Sequence, residues 1–411
     1  MSHKIVIIGA GFAGVWSALS AKRLINIHGK GEDIQVTVIA PDPNLVVRPR
    51  LYEADPSAMC APLGQLFESA GIEFIAGYVD QIDAAAHMVH FTSTSSEKSS
   101  ASYDRLILAA GSTVVKPASI PGLQEHAFDI DTLSAAAKLD AHLQNLVSGS
   151  NNNHQDTIVV CGAGFTGIEI VTELPKRFSG TTYKPHLVLV DSADTLASTL
   201  GPGPRPVIAQ AIKDLNIEVK LGSRVSSVNA NGITLASGES IESKTVIWTA
   251  GVKATPLTTQ ISNKTDQLNR LHVDRYLRVS TEPHILATGD AAAAAADVNG
   301  HNAMMSCQHA IPLGRYSGHN AAADLLGLPL MEYTQPDYGT CLDLGAYGTV
   351  VTRGWEREVE LTGPKAKKVK QYINQKLIYP PQDSGEALAL ADPLTDASFE
   401  GLLEMILRNA G

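Results

Sequence analysis

Two glycine triplets are the residues of this sequence whose type and spacing most directly suggest chemistry. Gly9, Gly11 and Gly14 form G-x-G-x-x-G immediately after an apolar run, residues 4–9 (KIVIIG), and before the helical pattern FAGVWSALSAKRLI. In that setting the first glycine permits a tight turn, the second lets a pyrophosphate approach the backbone, and the third lets the helix pack close to the strand. The free N–H groups of the helix start then face the anion. Gly162, Gly164 and Gly167 repeat the pattern between residues 158–162 (IVVCG) and the helical stretch FTGIEIVTELPKRF. Two dinucleotide sites in one chain imply that electrons pass between two dinucleotides.

Carboxylates sharpen the reading. The strand at 186–191 (HLVLVD) ends in Asp191, which can accept hydrogen bonds from both ribose hydroxyls of an adenosine and repels a 2′-phosphate, favouring NADH. The matching strand of the first unit, 34–40 (IQVTVIA), ends in Ala40, so the usual acid is missing there. Asp42 is the nearest substitute, and it reads equally well as part of a Pro-rich turn. Thr288, Gly289 and Asp290 close a later strand, 284–290 (HILATGD). A carboxylate delivered there suits a sugar-alcohol chain, which FAD has and NAD lacks.

The elements that must position these residues are two β-α-β units, each predicting a parallel sheet covered on both faces. The expected fold is α/β, with two Rossmann-like dinucleotide-binding domains and a small α+β C-terminal domain. Of 411 residues, 44% are hydrophobic and 18% charged, which excludes a disordered chain and predicts two or three domains of ~100–200 residues. The 32 basic and 42 acidic residues leave a formal charge of −10, a field that disfavours phosphate backbones and anionic membranes. Nucleic acid is therefore not an expected partner. The 4 cysteines are scattered without a CxxC or CxxxxC pair, so neither a metal centre nor a dithiol is expected. No signal-peptide pattern precedes KIVIIGAG and no run reaches the ~20 apolar residues of a span. The expected compartment is the cytoplasm, with any membrane contact peripheral, at the inner face.

The ordered set GAGFAG, RLILAAG, GAGFTGIE, WTAGV and ATGD resembles the two-dinucleotide-domain flavoprotein reductases. Within them, WTAGV (248–252) is similar to the type II NADH dehydrogenases, and VVRPRLYEA (46–54) looks like that family's loop after the second strand. The resemblance covers residues 4 to about 320. It implies FAD held by Gly9, Gly11, Gly14 and Asp290, with Arg48, Ala110, Gly111, Gly289 and the candidate ribose acid Asp42 beside it. It implies NADH held by Gly162, Gly164, Gly167 and Asp191, with Gly251 nearby and Glu169 close to the nicotinamide. The implied domains are 1–120 with 266–327 for FAD, 121–265 for NAD, and 328–411 at the C-terminus.

On this reading a hydride passes from NADH to the flavin and two electrons continue to a quinone or similar small aromatic acceptor. Glu169, Gln308 and His309 are the expected catalytic residues, His309 as a proton donor, with Glu53 a further acceptor-side candidate. The stretch CQHAIPLG (307–314) departs from the family's AQxAxQ-like motif, because Pro312 stands where the second glutamine belongs. Cys60 reads as a buried thiol. Lys365, Lys367, Lys368 and Lys370 read as a solvated helix face, and residues 291–296 as loop-to-helix filler of high helix propensity. Residues 217–238 read as a β-meander, and 148–156 as a linker. Near the C-terminus Phe399, Leu402, Leu403, Ile406 and Leu407 share one helical face that reads as packing on the protein or on a partner subunit, and a homodimer is compatible with that. The alternatives are an NADH-dependent reductase of a ferredoxin or rubredoxin, docked on 365–376, and a signalling flavoprotein resembling the apoptosis-inducing-factor-like proteins.

Overall fold

The computed structural model describes residues 2–148 and 156–395 and, near the end of the chain, 401, 403 and 406. The first run of β-branched residues forms the strand His3–Ile8, and alternation divides its side chains between two cores. Ile5 and Ile7 join one cluster with the helices Phe12–Ile27 and Cys307–Leu326, whereas Val6 and Ile8 face a second cluster with Leu106, Leu108 and Ile285. Burial of each such side chain stabilises by about 1.5–3 kcal/mol, and here both faces contribute. A strand of this kind is stable only inside a covered parallel sheet.

That sheet has the parallel order Glu282–Ala287, Arg105–Leu108, His3–Ile8, Ile34–Ala40, Glu73–Asp83. From His3–Ile8 the chain goes first to one side and later to the other, so the strand order reverses there. A crevice opens at the carboxyl ends of the strands at such a point. The second sheet repeats the logic, with the parallel order Ala127–Phe128, Thr245–Trp248, Thr157–Cys161, His186–Val190, Ile217–Lys220. Its reversal lies between Thr157–Cys161 and Thr245–Trp248. The strand Ile217–Lys220 therefore belongs to the parallel sheet, and only Val225–Asn229, Gly232–Leu235 and Ser240–Glu242 form the expected antiparallel meander.

The helices Phe12–Ile27 and Cys307–Leu326 lie backbone to backbone. A Cβ at Gly318 would sit 2.0 Å from the carbonyl oxygen of Ser17, so glycine alone allows the approach. This contact fixes the start of the later helix against the first unit. The alanine run does not form a helix. Ala292 and Ala293 pair with Leu271–His272, and Ala291, Ala292, Ala294 and Ala296 are buried. Burial of small side chains in a tight layer overrides helix propensity.

The C-terminal segment forms a three-stranded antiparallel sheet (Gly339–Asp343, Thr349–Arg353, Glu358–Thr362) covered by the helix Gly363–Tyr372. Its apolar residues mostly serve other cores. Leu342, Leu344 and Val350 join a cluster of the second unit, and Ile378, Ala387 and Ala391 join one of the first. The segment thus braces both units. Ile406 is buried with Val351, Ala366 and Val369, and Leu403 packs beside them. Phe399, Leu402 and Leu407 lie outside the described residues, as does the linker core at 149–155. Among the described residues no helix is long and apolar enough to cross a membrane, and no group of three metal-type side chains could hold a metal ion.

Candidate active site

In the first crevice the three glycines have different reasons. A Cβ at Gly14 would lie 1.9 Å from the carbonyl oxygen of Gly9, and Gly9 itself has φ +106° with its Cβ direction 2.5 Å from the carbonyl oxygen of Ala109. Both are required by the protein's own packing. Gly11 is exposed, and a Cβ there would meet nothing within 4 Å. No contact inside the protein demands a glycine at that position, so the reason for it lies in what approaches from outside. Gly14→Ala is therefore expected to destabilise the fold by about 1–3 kcal/mol, while Gly11→Val leaves thermal unfolding nearly unchanged and blocks cofactor uptake. Thermal melts and flavin absorbance separate the two.

Ala110 and Gly111 follow the neighbouring strand, and Gly289 (φ +59°) turns the chain so that Asp290 enters the crevice. The hydroxyl of Ser112 donates to Asp290 Oδ2 at 2.6 Å, and Arg48 Nη1 lies 3.7 Å from the same oxygen. Arg48 also donates to Ser112 Oγ at 3.2 Å and, through Nη2, to Asp131. Burial raises the Asp290 carboxyl above its ordinary pKa, opposed by Ser112 and Arg48. The buried hydroxyl of Thr288 finds no hydrogen-bond partner among the described residues. A polar chain carrying hydroxyl groups fits this donor and acceptor set.

The sequence reading missed Ser112, although it directly follows RLILAAG, and missed Asp131, which carries no local signal. Asp42 is exposed in the turn after Ala40. The thiol of Cys60 is half-buried rather than fully buried, and burial together with the charge of Asp42 pushes its pKa up. A thiol held protonated is a poor nucleophile.

The second crevice has the same construction. A Cβ at Gly167 would lie 1.8 Å from the carbonyl oxygen of Gly162, whereas one at Gly164 would meet nothing within 4 Å. Asp191 Oδ2 accepts from the backbone N–H of Ala163 at 2.5 Å and Oδ1 from that of Ala193 at 2.7 Å. The carboxylate is thereby fixed beside the glycine loop. The two crevices are tied together at the ends of their strands. Ser112–Val114 pairs with Val252–Ala254, Val115 N–H donates to the carbonyl of Gly251, and Trp248 Nε1 donates to that of Val115.

Glu169 lies two residues beyond Gly167 on the helix Phe165–Arg177 and is almost completely buried. Its Oε1 receives Lys370 Nζ at 2.9 Å and the backbone N–H of Asp343 at 3.0 Å. Burial dominates and pushes its pKa up to about 7, although Lys370 pulls the other way. Glu169 in turn raises the pKa of Lys370, which stays charged even though burial opposes it. Of the lysines expected on a solvated helix face, Lys365 and Lys368 are exposed, and the expectation is corrected for Lys370 and Lys367. Lys370 is 5% exposed with its ammonium 5.8 Å from the rings of Tyr52 and Phe165, and Lys367 donates to Asp343 Oδ1 at 2.5 Å. A charged residue on a short amphipathic helix reads as solvated until the carboxylate opposite it is known. Tyr52 donates to Asp343 Oδ2 at 2.9 Å, and Glu53 is held by Arg50 and Asn374.

His309 is a second correction. It is fully buried, its Nδ1 is 3.1 Å from Ser306 Oγ, and its Nε2 has no partner among the described residues. Burial and the charge of Arg270 lower its pKa to about 4, so it is neutral at pH 7 and not a proton donor there. It supports the helix start instead, beside Tyr338 and Trp355. Pro312 lies inside the same helix and cannot donate to the carbonyl of Gln308. Gln335 Nε2 donates to that carbonyl instead, at 3.3 Å. The side chain of Gln308 is half-buried at the helix start.

Two helix-covered parallel sheets, each with a glycine loop at its reversal point and joined beside those loops, define a carrier of two dinucleotides. The sequence profile of the pyridine nucleotide-disulphide oxidoreductase family matches residues 3–314, and the chain belongs to that family. It is a pyridine-nucleotide-dependent oxidoreductase and a flavoprotein, of a family whose cofactors are FAD and NADH. Cys60, Cys161, Cys307 and Cys341 are all free. The chain is 45% identical over 394 residues to an NADH dehydrogenase-like protein of Mycobacterium tuberculosis, with 94% of this chain and 97% of that one covered. It is 23% identical over 397 residues to a type II NADH:quinone oxidoreductase of Staphylococcus saprophyticus, with 92% and 95% covered. Its fold matches that of NDH2 from Plasmodium falciparum, solved in complex with NADH, with a TM-score of 0.78 at 14% identity and 95% and 97% coverage.

Proposed function

We propose that this protein is an FAD-dependent NADH dehydrogenase that delivers two electrons to a small planar acceptor of the quinone type. The observation that carries the reading is the pair of crevices, each with an open second glycine, tied together by the Ser112–Val114 and Val252–Ala254 ribbon. Gly9, Gly11, Gly14, Ala110, Gly111, Gly289 and Asp290 hold FAD in the first, with Arg48 beside them. Gly162, Gly164, Gly167, Asp191 and Gly251 hold NADH in the second. A flavin bound in the first crevice would supply the two-electron chemistry, accepting a hydride from NADH and giving up two electrons to the acceptor.

The protein's own groups orient the partners, exclude water and manage protons. Asp191 reads the adenosine ribose. Both contacts to Glu169 fall on Oε1, leaving Oε2 to carry a proton near neutrality. Lys370, Asp343 and Tyr52 hold that carboxyl in place and close the space around it. Gln308 stands at the acceptor end. Over a turnover NADH, one proton and the acceptor give NAD+ and the acceptor reduced by two electrons and two protons.

Asp191→Ala is expected to weaken NADH binding about tenfold or more, the scale of a hydrogen bond to a charged group, and to relax discrimination against NADPH. Titrating both nucleotides checks it, and an unchanged ratio would place recognition of the ribose elsewhere. The reading as a whole is tested by NADH oxidation with soluble quinones, with and without a ferredoxin or rubredoxin, across a range of salt. Rapid turnover with quinone alone, insensitive to salt, supports it. A strict requirement for the carrier, lost at high salt, would replace it with the protein-reductase reading. The burial of Lys370 and the internal pairing of Lys367 already remove two charges from the surface which that reading needs.

A further inference from the structure

We propose that Arg48 sets the reduction potential of the flavin and that Asp131 is the residue that positions this arginine and offsets its charge. The inference rests on the reading that the first crevice holds FAD. Arg48 belongs to the short turn Arg48–Arg50, and its side chain remains 37% exposed while those of Asp131 and Asp290 are 12% and 16% exposed. The arginine thus stays partly open while its two carboxylate neighbours are largely covered. One edge of the fork is taken by Asp131 through Nη2, and Nη1 is directed at Ser112 Oγ and Asp290 Oδ2.

Asp131 is itself anchored, since its Oδ2 accepts the backbone N–H of Val114 at 3.0 Å. Val114 is part of the ribbon that ties the two crevices together, and Asp131 lies in the stretch between Ala127–Phe128 of the second sheet and the helix Leu133–Ser148. The arginine of the first unit is thus oriented by a carboxylate at the entrance to the second. A planar fork held along one edge has little freedom to turn its charge elsewhere.

The electrostatic consequence follows from the signs. Asp290 is the carboxylate that would accept from the cofactor's sugar-alcohol chain, and Arg48 is within ion-pair distance of it. Two-electron reduction of the flavin places additional negative charge on the cofactor. A fixed cation in a partly desolvated crevice favours that state, and a carboxylate behind the cation opposes it. Arg270 also adds positive potential at Asp290, and Arg48 is the arginine within ion-pair distance of that carboxylate. A purely structural ion pair would not make the two residues act with opposite signs.

The test is the midpoint potential of the flavin-loaded protein, equilibrated against a reference dye, together with the dissociation constant for FAD. Arg48→Met is expected to shift the reduction equilibrium about tenfold towards the oxidised form, ~30 mV for a two-electron couple. Asp131→Asn is expected to shift it in the opposite direction. The double variant is expected to fall between the two single variants, because the opposing fields of cation and carboxylate are removed together. Variants that hold FAD fully with unmoved potentials, or that move in the same direction, overturn the proposal. Where Arg48→Met holds too little flavin to measure, Asp131→Asn alone decides by its sign. Wild-type protein that takes up no FAD would instead overturn the underlying reading, so the two failures are distinguishable.

Discussion

Protein carrying Asp290→Ala is expected to purify almost free of flavin. The carboxylate is the largely buried acceptor just beyond the strand Glu282–Ala287, and its removal leaves the Ser112 hydroxyl without its acceptor and Arg48 without its ion pair in the crevice. Loss of a hydrogen bond to a charged group is worth about 1.5–3 kcal/mol, roughly a ten- to hundredfold weakening before the orphaned donors are counted. Absorbance of the purified protein near the flavin bands, and reconstitution with added FAD, measure it. Asp290→Asn keeps the size of the side chain and an acceptor oxygen, so it is expected to retain an intermediate amount of flavin. Full occupancy in the alanine variant would remove Asp290 from the cofactor site.

The second large effect is expected at Glu169. Its carboxyl, pushed up to about 7 by burial, is protonated below that value and ionised above it. On the proposal that this carboxyl supplies the proton taken up with the acceptor, reduction of the acceptor is expected to slow as pH rises through about 7, while reduction of the flavin by NADH, which needs no proton from this group, stays flat. Glu169→Gln is expected to lower the acceptor step on the order of a hundredfold and to erase that limb of the profile. Lys370→Met removes the cation that holds the carboxyl down, and moves the limb to higher pH. Stability has its own sign. Between the ordinary glutamate range and about 7 the folded state binds the extra proton, so stability falls as pH rises through that window. Denaturant unfolding at several pH values detects this in the parent protein and finds it absent in Glu169→Gln. A pH-rate profile unchanged in Glu169→Gln would assign the proton to another group.

Much of this site is legible along the chain because its parts are local. The glycine triplets, Asp191 at a strand end and Asp290 after ATG each lie within a few residues of the strand or helix that presents them, and periodicity locates those elements. The pairing of units is legible for the same reason, as the second triplet repeats the first. Lys370 was not legible. It lies in a lysine-rich helix whose spacing looks solvated, and only the placement of Glu169, far off in sequence, turns it into a buried partner. His309 fails in the opposite way. Its type and position suggest a proton donor, but burial beside Tyr338 and Trp355 leaves it neutral and out of reach of solvent.

By itself, then, the sequence determined the two strand-turn-helix units, their likeness to one another and the placing of Asp191 and Asp290 after strands, because each depends on φ/ψ requirements and side-chain periods that act over a few residues. The tertiary structure alone decided which charges meet. It placed Arg48 between Asp131 and Asp290, set Lys370 against Glu169, and gave the carbonyl freed by Pro312 to Gln335. It also decided that residues 328–395 brace the two units, since their apolar side chains find most of their partners in cores built by the rest of the chain. Burial and pairing over long sequence separations depend on where strands register and helices cross, and no local pattern of residues encodes either.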